Sequence, residues 1–149
     1  MHFGLLTALT ACAIAAASTA EAFSGVIAFF RDVKYSYNLG ALKINNTNRC
    51  YNLDCGHLDN SVSSVRWFGL PSAAKFDGET RALVAFYGDN NCTGTRQHFQ
   101  TRWGGVESFS TNGINDIVSS FMILQTSEKI EHGTRSVCAL GVHLQSLAR

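Results

Sequence analysis

The chain has 149 residues, 46% of them hydrophobic and 15% charged, with 13 Gly and a single Pro. That composition suits one packed, turn-rich domain and excludes a disordered polar tract. A formal net charge of +1, with no basic run, leaves no electrostatic pull toward nucleic acid or an acidic membrane surface.

In chain order, residues 3–17 are almost continuously apolar or small, and Ser18-Thr19-Ala20-Glu21-Ala22 ends in an A-x-A cleavage signal. Residues 1–22 therefore read as a secretory signal peptide cut after Ala22. Their apolar run is shorter than the roughly 20 residues a membrane span needs. An extracellular protein with no membrane span is expected. Residues 26–30 are β-branched and aromatic and read as a strand, followed by a polar hairpin at 32–35 and a weakly alternating strand at 39–44. Next come Asn45-Asn46-Thr47, a glycosylation sequon in a eukaryotic secreted protein, and Cys50-x₄-Cys55-x-His57. Residues 59–64 read DNSVSS. A short strand at 65–68 follows, with Trp67 expected in the core. Residues 69–80 read as a linker. A strand at 83–87 leads into a polar hairpin near 89–91, and Asn91-Cys92-Thr93 is a second sequon. Trp103 stands in a turn-like Arg-Trp-Gly-Gly setting, where core or loop packing is favoured over contact with a partner. Residues 115–120 read NDIVSS, and a last strand is expected at 121–124. Beyond 126, Val137, Leu140, Leu144 and Leu147 have near-helical spacing interrupted by Gly141, so an extra strand or helix covering one face is expected.

The chain repeats itself. Ala28-Phe29-Phe30-Arg31-Asp32 matches Ala85-Phe86-Tyr87-Gly88-Asp89 at an offset of about 57 residues, and the two polar hexads match at about 56. Two units, near 26–68 and 83–125, thus carry the same order of strands and turns. Many short strands with Asp, Asn, Gly and Ser turns predict an all-β sandwich of two four-stranded Greek keys over residues 23–126, with 127–149 as a C-terminal extension.

Asp and Asn side chains, Ser hydroxyls and turn carbonyls are hard oxygen donors, and neither hexad holds a soft ligand. Such loops suit Ca²⁺, which takes six to eight oxygens. One six-residue loop cannot supply that many, whereas two facing loops with water can.

Each unit also resembles a Greek-key motif of the βγ-crystallin superfamily. The second unit has Tyr87-x₄-Cys92-x-Gly94 and then Ser119-Ser120. The first has Phe30-x₄-Tyr35-x-Tyr37 and then Ser63-Ser64. Cys92 stands where the pattern has an aromatic, and Tyr37 where it has a glycine. The hexads are similar to the N/D-N/D-x-x-S/T-S calcium clamp of microbial members. The resemblance implies side-chain ligands from Asp59, Asn60, Asn115 and Asp116. It implies backbone carbonyls from Ser61 and Ile117 and hydroxyls from Ser63 and Ser119. Ser64 and Ser120 would brace the hairpin of their own unit, and further carbonyls would come from the hairpins near 32–35 and 89–91. With one carboxylate per hexad, affinity on the order of 10⁻⁵–10⁻³ M is expected.

Cys12 leaves with the signal, so Cys50, Cys55, Cys92 and Cys138 form an even set that predicts two disulfides. Pairing of Cys50 with Cys92, near the hairpins of the two units, is preferred. It leaves Cys55 for Cys138; a local Cys50–Cys55 bridge competes. A zinc site on Cys50, Cys55 and His57 would need reduced thiols and a fourth ligand, so disulfides are favoured. No G-x-S-x-G, H-E-x-x-H or phosphate-loop motif is present, and no enzyme is expected. The functional expectation is a secreted calcium-binding module. The alternative is a secreted interaction protein, such as an effector, toxin or protease inhibitor, with an extracellular or host protein as partner.

Overall fold

The computed structural model describes residues 22–140. The signal segment up to residue 21, and Leu144 and Leu147 of the extension, lie outside the described residues. Eleven strands build the domain: β1 (Gly25–Asp32), β2 (Ser36–Ile44), β3 (Cys50–Asn52), β4 (Ser64–Phe68), β5 (Ala73–Phe76), β6 (Glu79–Arg81), β7 (Leu83–Asp89), β8 (Thr93–Gln100), β9 (Gly105–Val106), β10 (Ser120–Leu124) and β11 (Thr134–Ser136).

Two sheets form the sandwich, one ordered β2-β1-β4-β9 and the other β11-β3-β10-β7-β8. Within each unit the first two strands make a hairpin, the third crosses to the opposite sheet, and the fourth returns beside the first. These are the two expected four-stranded Greek keys, β1–β4 and β7–β10. The exchange is reciprocal: β3 pairs with β10 of the second unit, and β9 pairs with β4 of the first. Neither unit closes its own sheet without the other.

Side chains alternate across a strand, so Ile27 and Phe29 of β1 and Val65 and Trp67 of β4 point into the same core as Val84, Phe86, Phe121 and Ile123. Phe86 sits at its centre, with ring centroids 5.0 Å from Phe109, 6.1 Å from Phe99, 6.2 Å from Phe121 and 6.4 Å from Trp67. Aromatic pairs at this range contribute about 0.5–1.5 kcal/mol each beyond their buried area. The expected burial of Trp67 is observed, and its indole N–H donates to the Thr101 carbonyl at 2.5 Å.

Residues 69–80 do more than link the units. With Arg81 they form the β5–β6 hairpin, which lays Ala74 and Phe76 over the outer face of the second sheet against Leu83, Ala85, Tyr87, Met122 and Leu124. Every residue of β10 is therefore buried, whereas β4 alternates buried and exposed from Val65 to Phe68. The unbroken apolar runs at 83–87 and 121–124 carried this signal, since a strand covered on both faces loses its alternation.

The extension adds β11 in parallel to β3 and then a single 3₁₀ turn, Cys138–Leu140. Asn48, with no exposed surface, holds the connection to it. Its amide nitrogen donates to the carbonyls of Ser127 at 2.8 Å and Lys129 at 3.1 Å, and its oxygen accepts from the backbone of Gln125 and Thr126. Disulfides join Cys50 to Cys92 and Cys55 to Cys138. The Cys50–Cys55 bridge does not form, because β3 and the turn after it aim these side chains at different partners.

Candidate metal centre

Each polar hexad is pinned by apolar side chains on both sides of its acidic pair. Leu58 and Ile114 precede the hexads, Val62 and Val118 fill their fourth positions, and all four are fully buried. The second positions, Asn60 and Asp116, adopt left-handed backbone with φ of 54° and 55°. Asn and Asp tolerate that region better than other non-glycine residues.

The two loops bond to each other symmetrically. Asn60 N–H donates to the Val118 carbonyl and Asp116 N–H to the Val62 carbonyl, each at 3.3 Å. Side chains repeat the exchange. The Ser63 hydroxyl donates to Asp116 Oδ1 at 3.0 Å. The Ser119 hydroxyl donates to Asp59 Oδ1 at 2.6 Å and lies 3.4 Å from Asn60 Oδ1. Two oxygen clusters result, each holding a hydroxyl from one hexad against a carboxylate from the other.

Asn115 lies beside the second cluster, its amide nitrogen donating to Asp116 Oδ2 at 2.7 Å. Its oxygen is buried and has no hydrogen-bond partner among the described residues. A buried acceptor with nothing to accept from costs about 1–3 kcal/mol, and a cation would satisfy it. Carboxylate, amide and hydroxyl oxygens together are a donor set of the kind Ca²⁺ takes. Of the third-position residues, Ile117 turns its carbonyl toward Gly88, 3.8 Å from where a Cβ on that glycine would sit.

The sixth-position serines do something else. Ser64 Oγ donates to the Asp32 carbonyl at 2.6 Å and accepts from Tyr35 N–H at 3.1 Å. Ser120 Oγ donates to the Asp89 carbonyl at 2.6 Å and accepts from Cys92 N–H at 3.0 Å. Each serine folds the hairpin of its own unit down onto the sheet. The Asp32 and Asp89 carbonyls each accept one of these bonds.

The hairpins match residue for residue. Lys34 and Asn91 have φ of 56° and 60°, Tyr35 and Cys92 60° and 55°, and Tyr37 and Gly94 57° and 80°. Tyr37 thus takes the glycine conformation despite its side chain, and the Arg31 guanidinium stacks 3.7 Å from its ring centroid. Cys92 bonds to Cys50, and the corresponding Tyr35 instead packs its hydroxyl onto Gly105, 2.8 Å from where a Cβ would stand.

Sequence reasoning missed Asn52. Its side chain accepts from Asn91 N–H at 2.8 Å and donates to Asn91 Oδ1 at 3.2 Å, stapling the second hairpin to β3. Nothing local marks a pair 39 residues apart. Asn45 and Asn91 of the two sequons are both exposed. Asp54 gathers with Cys55 and Cys138, but both sulfurs are in the disulfide and Asp54 accepts from Ser136 at 2.7 Å. His132, 2.7 Å from the Thr47 carbonyl through Nδ1, braces the connection to the extension.

No protein-family model and no curated protein matches the sequence. Among solved structures, the chain is similar to one bearing on the evolution of the eye-lens βγ-crystallin domain fold, at 16% identity and a TM-score of 0.45, covering 73% of this chain and 93% of that one. It is similar to a βγ-crystallin domain from Clostridium beijerinckii at 17% identity and a TM-score of 0.45, covering 66% and 97%. A βγ-crystallin domain from Flavobacterium johnsoniae matches at 21% identity and a TM-score of 0.43, covering 66% and 93%.

Proposed function

We propose that this chain is a secreted, disulfide-braced calcium-binding module of the βγ-crystallin type, with two sites built by exchange of ligands between its hexads. The reciprocal contact of Ser63 with Asp116 and of Ser119 with Asp59 carries the reading. Asp59, Asn60 and Ser119 would hold one ion; Asn115, Asp116 and Ser63 would hold the other. The carbonyls of Ser61 and Ile117, and water, would complete the shells. The ion would supply charge neutralisation and a cross-link between the two Greek keys.

Low ligand charge gives modest affinity, in the range of extracellular modules, on the order of 10⁻⁵–10⁻³ M. Saturating calcium would add a few kcal/mol at most to a domain whose unfolded chain does not bind it. Two disulfides support an oxidising, extracellular setting. The sequons at Asn45 and Asn91 would take glycans there in a eukaryotic source.

Titration calorimetry of the disulfide-intact protein tests the proposal. Two binding events per chain are expected, with a melting temperature that falls on adding chelator. No heat and no shift at millimolar calcium would reduce both hexads to turns. A second reading, an interaction protein on the same scaffold, is favoured by the exposed Trp103 and the cleft beside it.

A further inference from the structure

The two sheets are unequal. One has five strands and the other four, because β11 continues the second sheet beyond β3 while, among the described residues, no strand continues the first beyond β9. The pseudo-twofold relation between the units makes β9 the counterpart of β3. Val106 faces Val65 as Tyr51 faces Phe121. Phe109 N–H donates to the Ser63 carbonyl as Leu53 N–H donates to the Ser119 carbonyl, both at 2.8 Å.

In the first unit this position is filled by the chain itself. Cys50 N–H donates to the Gly133 carbonyl at 3.0 Å, and Val137 N–H donates to the Asn52 carbonyl at 2.9 Å. Val137 is fully buried and joins the core cluster that contains Leu42, Tyr51 and Cys55. In the second unit the counterparts of those three are Phe99, Val106 and Thr111, and they line an open cleft of about 380 Å³. Trp103 forms one wall, 57% exposed, with its ring 6.2 Å from that of Phe99. Glu107 and Asn112 stand on the rim.

We propose that this cleft docks an extended peptide segment of another protein, laid parallel to β9 as β11 lies on β3. A branched aliphatic residue would take the place of Val137, and a basic residue would face the exposed Glu107. Addition of a strand to a sheet edge draws affinity from main-chain hydrogen bonds and specificity from side-chain pockets, and β9 offers both. The Glu107 carbonyl already accepts from Lys34 N–H at 2.7 Å, so the docked strand is held mainly at Gly105 and by its aliphatic anchor. The described residues end at Leu140, in the 3₁₀ turn that follows β11 at one edge of the second sheet, and the cleft borders β8 at that sheet's other edge. The proposal stands whether or not the hexads bind calcium.

The probe is a synthetic peptide with the sequence of residues 132–139 carrying Cys138→Ser, added to the isotopically labelled, disulfide-intact protein. Chemical-shift changes are expected at Gly105, Val106, Thr111 and the Trp103 indole. A peptide with Val137→Asp should bind at least about tenfold more weakly, as should protein carrying Thr111→Arg, an exposed position that leaves the core intact. No shift at millimolar peptide overturns the proposal. So do shifts confined to β3, which would mean that the peptide displaces β11. Self-association of the free protein that disappears on deleting residues 141–149 would also overturn it, by giving the cleft to the tail of a second copy.

Discussion

The Ser119 hydroxyl donates to the Asp59 carboxylate at 2.6 Å, although 60 residues separate them. The bond joins the fifth position of one hexad to the first position of the other. Its counterpart, Ser63 to Asp116 at 3.0 Å, joins the same two loops in the opposite sense. A polar hexad written twice is thus two halves of a pair of oxygen clusters.

If the clusters bind calcium as proposed, the serine of each hexad belongs to the site that holds the other hexad's carboxylate. Ser119→Ala should weaken calcium at the cluster with Asp59, and Ser63→Ala at the cluster with Asp116, each leaving one binding event near its original affinity. Asp59→Ala should weaken binding more than Ser119→Ala, because it removes a charged ligand. Calorimetry on the single and double variants separates the two clusters. Equal loss at both sites from one serine change would instead mean that the loops bind as one unit.

The sixth-position serines should act on the fold and not on the ion. Ser64→Ala and Ser120→Ala each delete a hydroxyl that donates to a hairpin carbonyl and accepts from a hairpin N–H. Loss of roughly 2 kcal/mol is expected from each, given the cost of leaving part-buried partners unmade. Denaturant unfolding should show the same loss with chelator as with calcium.

Equivalent hairpin positions should respond in opposite ways. A Cβ at Gly94 would lie 2.8 Å from Asp89 Cγ and would force a φ of 80° on an L residue. Gly94→Ala should therefore destabilise by about 1–2 kcal/mol. Tyr37→Gly relieves a φ of 57° at an exposed side chain and loses only the stacked Arg31. The two effects are each about 1 kcal/mol, so its melting temperature should stay close to that of the parent.

Acid should loosen the connection to the extension. The hydroxyl of Ser127, and then that of Thr126, hold the Glu131 carboxyl below the usual carboxylate range. A group whose pKa is depressed by folding adds stability above its unfolded pKa and loses it as pH falls through the folded value. The Glu131 and His132 amides donate to the Asn48 carbonyl at 2.8 and 3.0 Å. Their hydrogen-exchange protection should fall on acidification below the carboxylate range. Glu131→Gln should flatten that dependence.

Much was legible in the residues themselves. Two copies of a strand and hairpin pattern, each closed by an acid-amide pair and two serines, were enough to read two Greek keys and the oxygen chemistry of the loops. Local pattern carries this because strand alternation and turn chemistry are set by near neighbours. The strands at β3, β8, β9 and β11 were less visible, being short or polar; β8 pairs within its own unit, with β7, whereas β3 and β9 pair across the units and β11 joins from the extension. Likewise, the β5–β6 hairpin looked like a linker, since its two buried apolar side chains gain their value from the sheet beneath. Tertiary structure turned two preferences of the sequence into contacts, the facing hexads and the Cys50–Cys92 bridge, and alone decided that β11 covers one unit while its counterpart cleft stays open. Those outcomes depend on contacts between residues dozens of positions apart, and no spacing along the chain encodes which distant surfaces meet.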